Sequence, residues 1–455
     1  MAGDVRLIRS PMSVAGMVLT TISAVLFLVM FLADVLGLHT NPYIGIVFFL
    51  VLPGLFVIGL LLIPFGAWLE RRRRAAGKPS SAVRWPQIDL NDSTQRLTAV
   101  IVFALTMANI VIVSLGAYRG VEYMDSVQFC GQACHSAMNP EFVAHGIGAH
   151  AHVKCVDCHV GPGAASFASA KLAGTRRLLA VTFHTYPRPI VAAPEQLLPA
   201  RDTCEQCHWP EQFHGDRIRR VAEYADDEKN TESVTTLRVH VGGGDGRPGL
   251  ASGIHWHMNV GTDIEYIATD RDRQTIPYVR MTDRQGMVRE YMVDGVTPEV
   301  LATADRHRMD CMDCHNRPSH QIAATPERAV NEAMAAGGIP TTLPFVHREA
   351  VKVLKAPYPS QDAGAESISR VLREFYRTAP QAATSRGPDI DRAVLAVQDI
   401  YHRNVFPEMN VRFGTYASNI GHIDFPGCFR CHDDNHKSKD GKKIGQECDT
   451  CHAIE

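Results

Sequence analysis

Residues 129–138 read F-C-G-Q-A-C-H-S-A-M, and residues 155–160 read C-V-D-C-H-V. The second contains C-x-x-C-H, which recurs at Cys204/Cys207-His208, Cys311/Cys314-His315, Cys428/Cys431-His432 and Cys448/Cys451-His452. The first, Cys130/Cys134-His135, carries one extra spacer residue. With Cys155/Cys158-His159, these six motifs use all twelve cysteines. C-x-x-C-H is the attachment signature of c-type haem. Two thiols on one side of a turn add to the two vinyl groups of one porphyrin, and the next imidazole reaches the iron. Structural zinc needs four ligands, usually from two such pairs, and disulfides have no use for a His after every pair. The pattern predicts six covalent haems, with His135, His159, His208, His315, His432 and His452 as axial ligands.

Three apolar runs precede the first motif: 11–33, 43–69 and 97–118. Each matches or exceeds the roughly 20 residues that cross a bilayer core, and the first is too long for a signal peptide's apolar core. Short-loop Lys and Arg mark the cytoplasmic side. Arg6 and Arg9 precede the first run, and Arg71, Arg72, Arg73, Arg74, Lys78, Arg84 and Arg96 lie between the second and third. Residues 34–42 contain no Lys or Arg. The amino terminus is therefore expected inside and everything after Tyr118 outside, the side on which haem is attached. This places the chain in a bacterial inner membrane, multi-pass, with its haem domain in the periplasm. A net charge of −2 gives no sign of nucleic acid as a partner.

The fold expected is a membrane-anchored multihaem cytochrome c. Three transmembrane helices (1–120) precede a mostly α-helical and irregular haem domain with a small β insertion. The first three motifs fall in 121–225 and the last three in 301–455. Between them, 226–300 contains alternating or β-branched runs at Thr235–Val241, Ile264–Ala268, Ile276–Met281 and Met287–Val293, which read as strands. Thr325-Pro326-Glu327 reads as a helix start, and Ala365–Thr378 and Ile390–Arg403 carry helical periodicity.

Of 21 histidines, fifteen lie outside the motifs. An iron with two imidazoles is saturated and suits electron transfer. Second-ligand candidates close to motifs are His145, His150, His152, His320 and His436, with His184, His214, His240, His255, His257, His402 and His422 in reserve. His320 and His436 lead, six residues past Cys314 and five past Cys431. For each, the alternative is a solvated or hydrogen-bonded histidine. Met138 follows His135 by three residues; it either ligates the first iron, raising its potential, or rests on the porphyrin.

These words resemble the NapC/NirT/NrfH family of membrane-anchored quinol dehydrogenases, most of all its ImcH-type inner-membrane cytochromes. The likeness is carried by F-C-G-Q-A-C-H-S-A-M-N-P-E, Y-P-R-P-I, C-E-Q-C-H-W-P, I-H-W-H-M-N and G-C-F-R-C-H-D-D-N-H. It covers roughly 97–215 for the simpler members and reaches the carboxyl end for the ImcH type. The resemblance implies that the first haem takes electrons from membrane quinol, by expectation menaquinol. Later haems then pass them to periplasmic c-type cytochromes or another redox protein. It implies a lysine near the quinol, here Lys171, and an acidic group near the first haem, for which Asp125 and Glu141 are nearest in sequence. The chain departs from the simpler members in having three spans and in the Cys130/Cys134 spacer, which leaves His135 and Met138 both open as ligands.

Competing readings are a terminal reductase, an electron-wiring subunit of a larger respiratory or photosynthetic complex or homo-oligomer, and reverse flow into quinone. A reductase would need an open iron, often marked by C-x-x-C-K, and the sequence has none.

Overall fold

A computed structural model describes residues 10–35, 52–77, 89–133, 135–160, 164–190, 199–209, 215–242, 253–258, 261–378 and 387–455. Cys134, His39, His214 and the start of the second predicted span fall outside the described residues. The chain divides into two compact units, Met1–Phe129 and Cys130–Glu455.

In the first unit, α1 (Pro11–Val35), α2 (Leu52–Ala75) and α3 (Ser93–Met124) are each long and apolar enough to cross a membrane. Large apolar side chains such as Val18, Leu61 and Phe103 remain exposed, as lipid-facing surface requires. Helices in lipid gain nothing from burying apolar surface against each other, so they associate through small residues that let backbones touch. A Cβ on Gly16 would lie 2.7 Å from the Gly59 carbonyl oxygen, and one on Gly59 would lie 2.8 Å from the Thr20 nitrogen. Ser13 Oγ donates to the Ile63 carbonyl at 2.8 Å. α3 starts where Asp92 accepts from the Thr94 and Gln95 amides. It outruns the predicted span at its carboxyl end despite Gly120, where Arg119 pairs with Glu122 one turn on at 2.6 Å.

The second unit strings short helices between larger elements. α4 (Val127–Gln132) holds Cys130, α5 (His135–Ile147) follows, and α6 (Cys155–His159) is the second motif itself. After α7 (Ala164–Thr182) and α8 (Ala200–Cys204) comes a hairpin of β1 (Asp216–Tyr224) and β2 (Glu232–His240). A 3-10 turn at Ile254–Met258 leads into β3 (Asp263–Ile267), β4 (Tyr278–Thr282) and β5 (Val288–Met292). Then follow α9 (Pro298–Thr303), β6 (Arg306–Arg308) and α10 (Cys311–Cys314), the fourth motif. Four longer helices close the series: α11 (Pro326–Ala335), α12 (Val346–Lys355), α13 (Gln361–Thr378) and α14 (Gly387–Asn404). The last strand, β7 (His452–Ile454), begins at the sixth motif's own histidine.

The expected small insertion is instead two sheets. One is antiparallel with order β1-β2-β7, Val239 facing His452; the other has order β5-β4-β3-β6. β1 lies upstream of the predicted boundary at residue 226, and β7 returns from the carboxyl end. The strand β1, D-R-I-R-R-V-A-E-Y, is exposed along most of its length, so no buried face imposes an alternation.

The helices α11–α14 form a core of their own, with Val330, Ile339, Leu343, Val346, Ala350, Ile368, Leu372 and Val397 almost fully buried. Thr325 caps α11, its side chain accepting from the Arg328 amide at 3.2 Å. The β1–β2 hairpin joins this core through Asn230, which donates to the Leu343 carbonyl at 2.8 Å and accepts from the His347 amide at 3.1 Å. A second core, Ile264, Tyr266, Ile276 and Val279, lies on the four-stranded sheet, and Trp256 rests against it.

Candidate haem-binding site

The second and fourth motifs are short helices in themselves, Cys155–His159 and Cys311–Cys314, and the fifth and sixth begin in 3-10 turns, Gly427–Arg430 and Cys448–Thr450. In three motifs the histidine amide donates back to the first cysteine carbonyl: His208 to Cys204 at 2.8 Å, His315 to Cys311 at 2.8 Å and His432 to Cys428 at 3.0 Å. That closure brings the two sulfurs to one side. In the fourth motif, Asp310 accepts from the Met312 amide at 2.7 Å, and Asp313 accepts from the Asp310 amide at 2.7 Å. This capping box fixes the amino-terminal end of a turn too short to hold itself.

Thiols of successive motifs neighbour one another in chain order. Cys130 lies beside Cys155, Cys158 near Cys207, and Cys204 beside Cys311. Cys314 has Cys428 beside it, as does Cys451.

Five motif histidines each face one histidine from elsewhere in the chain. Ring centroids are 6.2 Å apart for His159 and His320, 6.1 Å for His208 and His150, and 6.3 Å for His315 and His255. The separations are 5.8 Å for His432 and His257 and 6.1 Å for His452 and His422. A metal–imidazole bond is about 2 Å long, so two imidazoles on one iron put their centroids roughly 6 Å apart. All five pairs fit that requirement.

The second nitrogens fit as well. His150 Nδ1 donates to the Pro318 carbonyl at 3.3 Å, His255 Nδ1 to Val241 at 3.1 Å and His257 Nδ1 to Ile254 at 2.8 Å. His432 Nδ1 donates to the Gly445 carbonyl at 2.9 Å and His320 Nδ1 to that of Glu141 at 3.2 Å. A carbonyl can only accept, so each bond fixes the proton on Nδ1 and turns the Nε2 lone pair toward a metal. Burial pulls the pKa of His159, His257, His315 and His320 below the ordinary value, favouring the neutral form that binds iron. Apolar side chains beside the motifs stand open, among them Trp209, Ile420 and Ile423, as a porphyrin face would cover. The residues therefore fit haem c, held through the motif cysteines.

Other sequence candidates fall elsewhere. His436 is 1% exposed, with Nδ1 on Asp433 at 2.8 Å and Nε2 on the Ile276 carbonyl at 2.7 Å. Both nitrogens serve the protein, which leaves none for iron. Replacing it by Ala should leave every iron's spin state unchanged while costing about 1–3 kcal/mol for the unpaired partners. Electron paramagnetic resonance and thermal melting read the two effects separately. His145 spends Nε2 on the Val153 carbonyl at 3.0 Å, and its ring lies 6.4 Å from that of His320. His240 Nδ1 bonds Asp216 at 2.9 Å. His152 and His184 are exposed, and His402 stacks edge-on against Tyr401. His135 opens α5 and Met138 is half-buried three residues on, on the same helix.

Of the expected quinol-site residues, Asp125 caps α3 in the first unit and Lys171 lies on α7. Glu141, on α5, is committed within the second unit: its carboxylate lies 3.2 Å from Arg317 Nη2 and 3.1 Å from His320 Nδ1. His255, His257 and His422, which face motif histidines, stand by sequence position only among the reserves, His255 the least expected of them. The H-x-H at 255–257 is the signal that could have raised it.

No protein-family model matches the chain, and no solved structure matches it. It is similar to the cytochrome c-type protein ImcH of Geobacter sulfurreducens, 41% identical over 448 residues that cover 98% of this chain and 88% of that protein. With its motifs, facing histidines and three membrane-length helices, the chain belongs to the ImcH-type c-type cytochromes and is a membrane-anchored electron-transfer protein with covalent haem c.

Proposed function

We propose that the chain carries six haems c on the periplasmic side of a bacterial inner membrane, oxidises membrane quinol near the first, and relays the electrons to a periplasmic redox partner. Haem supplies a one-electron acceptor that cycles between ferric and ferrous iron. The observation that carries this reading is the five facing histidine pairs, which join every motif from the second to the sixth to a histidine from elsewhere in the chain. A single file of one-electron centres is what moves charge from one end of a protein to the other. Five facing histidine pairs suit transfer rather than substrate chemistry, because a saturated iron has no position for a substrate.

Entry of electrons belongs at the first motif, because Cys130 follows the end of α3 by only six residues. That links it by a short tether to a membrane helix. Quinol oxidation releases protons as well as electrons. Lys171 is assigned to stabilise the anion that develops on the quinol oxygen, and Asp125 to accept the departing proton. Lys171→Met should slow haem reduction by a menaquinol analogue by about ten-fold, some 1.4 kcal/mol. Dithionite should still reduce every haem in the variant. Wild-type rates in both Lys171→Met and Asp125→Asn would remove this site assignment.

A further inference from the structure

Two of the five facing pairs draw on the same turn. His255 and His257 both lie in the 3-10 turn Ile254–Met258, yet their rings face different motifs. His255 lies nearly parallel to His315, with 9° between ring planes, whereas His257 lies nearly perpendicular to His432, at 84°. We propose that this single turn, H-W-H, supplies the second axial ligand to two haems, His255 to the haem on Cys311/Cys314 and His257 to the haem on Cys428/Cys431. The inference rests on the reading that these histidine pairs share irons.

Several features hold the turn rigid enough for that role. The His255 amide donates to the Val241 carbonyl at 3.0 Å, and the ring's Nδ1 donates to the same carbonyl at 3.1 Å. Gly253, just before the turn, has φ +79, and a Cβ there would lie 2.4 Å from the His240 carbonyl oxygen. Only glycine combines that conformation with that approach. Trp256, between the two histidines, packs against the core of the four-stranded sheet, with its ring edge-on to His257 at 5.7 Å. One turn anchored to one sheet thus fixes two ligands relative to each other. The two motifs it faces are separated by the helices α11–α14, so the turn ties together haem segments that are far apart in sequence.

The differing ring angles give each iron its own signature. Near-parallel imidazole planes produce a rhombic low-spin resonance, and near-perpendicular planes produce a highly anisotropic one. The test uses the full-length holoprotein, with haem counted by pyridine haemochrome and oxidised iron read by electron paramagnetic resonance. His255→Gly should convert one haem's intensity from the rhombic class to high-spin, and His257→Gly one haem's intensity from the anisotropic class. Added imidazole should reverse each change. His255→Met and His257→Met keep an axial ligand and should raise the potential of a different haem in each, since a thioether favours ferrous iron. Gly253→Ala should disturb both resonances together. The bridge is overturned if both histidine variants deplete the same resonance, or if neither changes spin state or potential while haem content stays at one per motif. Haem content below one per motif in the unaltered protein would overturn the underlying haem reading along with it.

Discussion

In a Cys204→Ser, Cys207→Ser variant, quinol should still reduce the haems of the first two motifs, while reduction of those beyond the third slows at least about 100-fold, near 2.7 kcal/mol. The expectation follows from where the third motif stands. Cys207 lies near Cys158 in the second motif, and Cys204 lies beside Cys311 in the fourth, all four as free thiols. Removing both thiols would take away the covalent hold on a haem at this motif, and with it the fixed iron that His208 and His150 are placed to share. Dithionite enters from solution and should still reduce the remaining haems. Stopped-flow spectra with a quinol and with dithionite therefore separate a broken relay from misfolding. Equal quinol-driven amplitudes in variant and parent would mean that electrons bypass the third motif.

Glu141→Leu should lower stability by about 3 kcal/mol, because it leaves the Arg317 guanidinium largely buried without its carboxylate. The two side chains are only 14% and 11% exposed, and Arg317 also stacks on the Tyr416 ring at 3.9 Å. The same carboxylate lies beside His320 Nδ1, and the Glu141 carbonyl accepts from that nitrogen. Losing the carboxylate loosens the ring that faces His159, so a fraction of that haem should turn high-spin. Glu141→Gln keeps an acceptor for both partners and should cost only about 1 kcal/mol, with low-spin iron retained. Thermal melting and electron paramagnetic resonance check both effects. A Glu141→Leu variant with unaltered melting and spin state, but slowed quinol oxidation, would return Glu141 to the role of proton acceptor.

The covalent side of the haem sites was legible because its chemistry is local. Two thiols and an imidazole must meet one porphyrin, so the spacing appears in five or six consecutive residues. The membrane helices were legible for a similar reason, since bilayer thickness sets their length. Which histidine faces each motif is decided by tertiary path instead. His320 follows the fourth motif in sequence but faces the second motif's His159, and His150 precedes the second motif but faces the third motif's His208. His436, close to the fifth motif, is held by Asp433 and the Ile276 carbonyl. Nearness in sequence misleads wherever the chain doubles back between motifs.

The helical core shows the same division. Thr325-Pro326 announces α11 by its own capping chemistry, and the apolar spacing of α13 and α14 is plain. α12 passes unnoticed because it begins after Phe345, a residue at φ +56 with no side-chain cap. Its apolar face is legible only against the partners it buries. β7 is three residues long and is a strand only because β2 lies beside it.

Electrons drawn from membrane quinol should spread along the haems from the amino-terminal end. The decisive measurement places the purified protein in liposomes and follows haem absorbance after a menaquinol analogue is added. Haem should be reduced without any soluble donor, beginning at the haem of Cys130/Cys134 and ending with exit to an added soluble cytochrome c. Entry from quinol is contradicted if quinol leaves every haem oxidised while dithionite reduces them all.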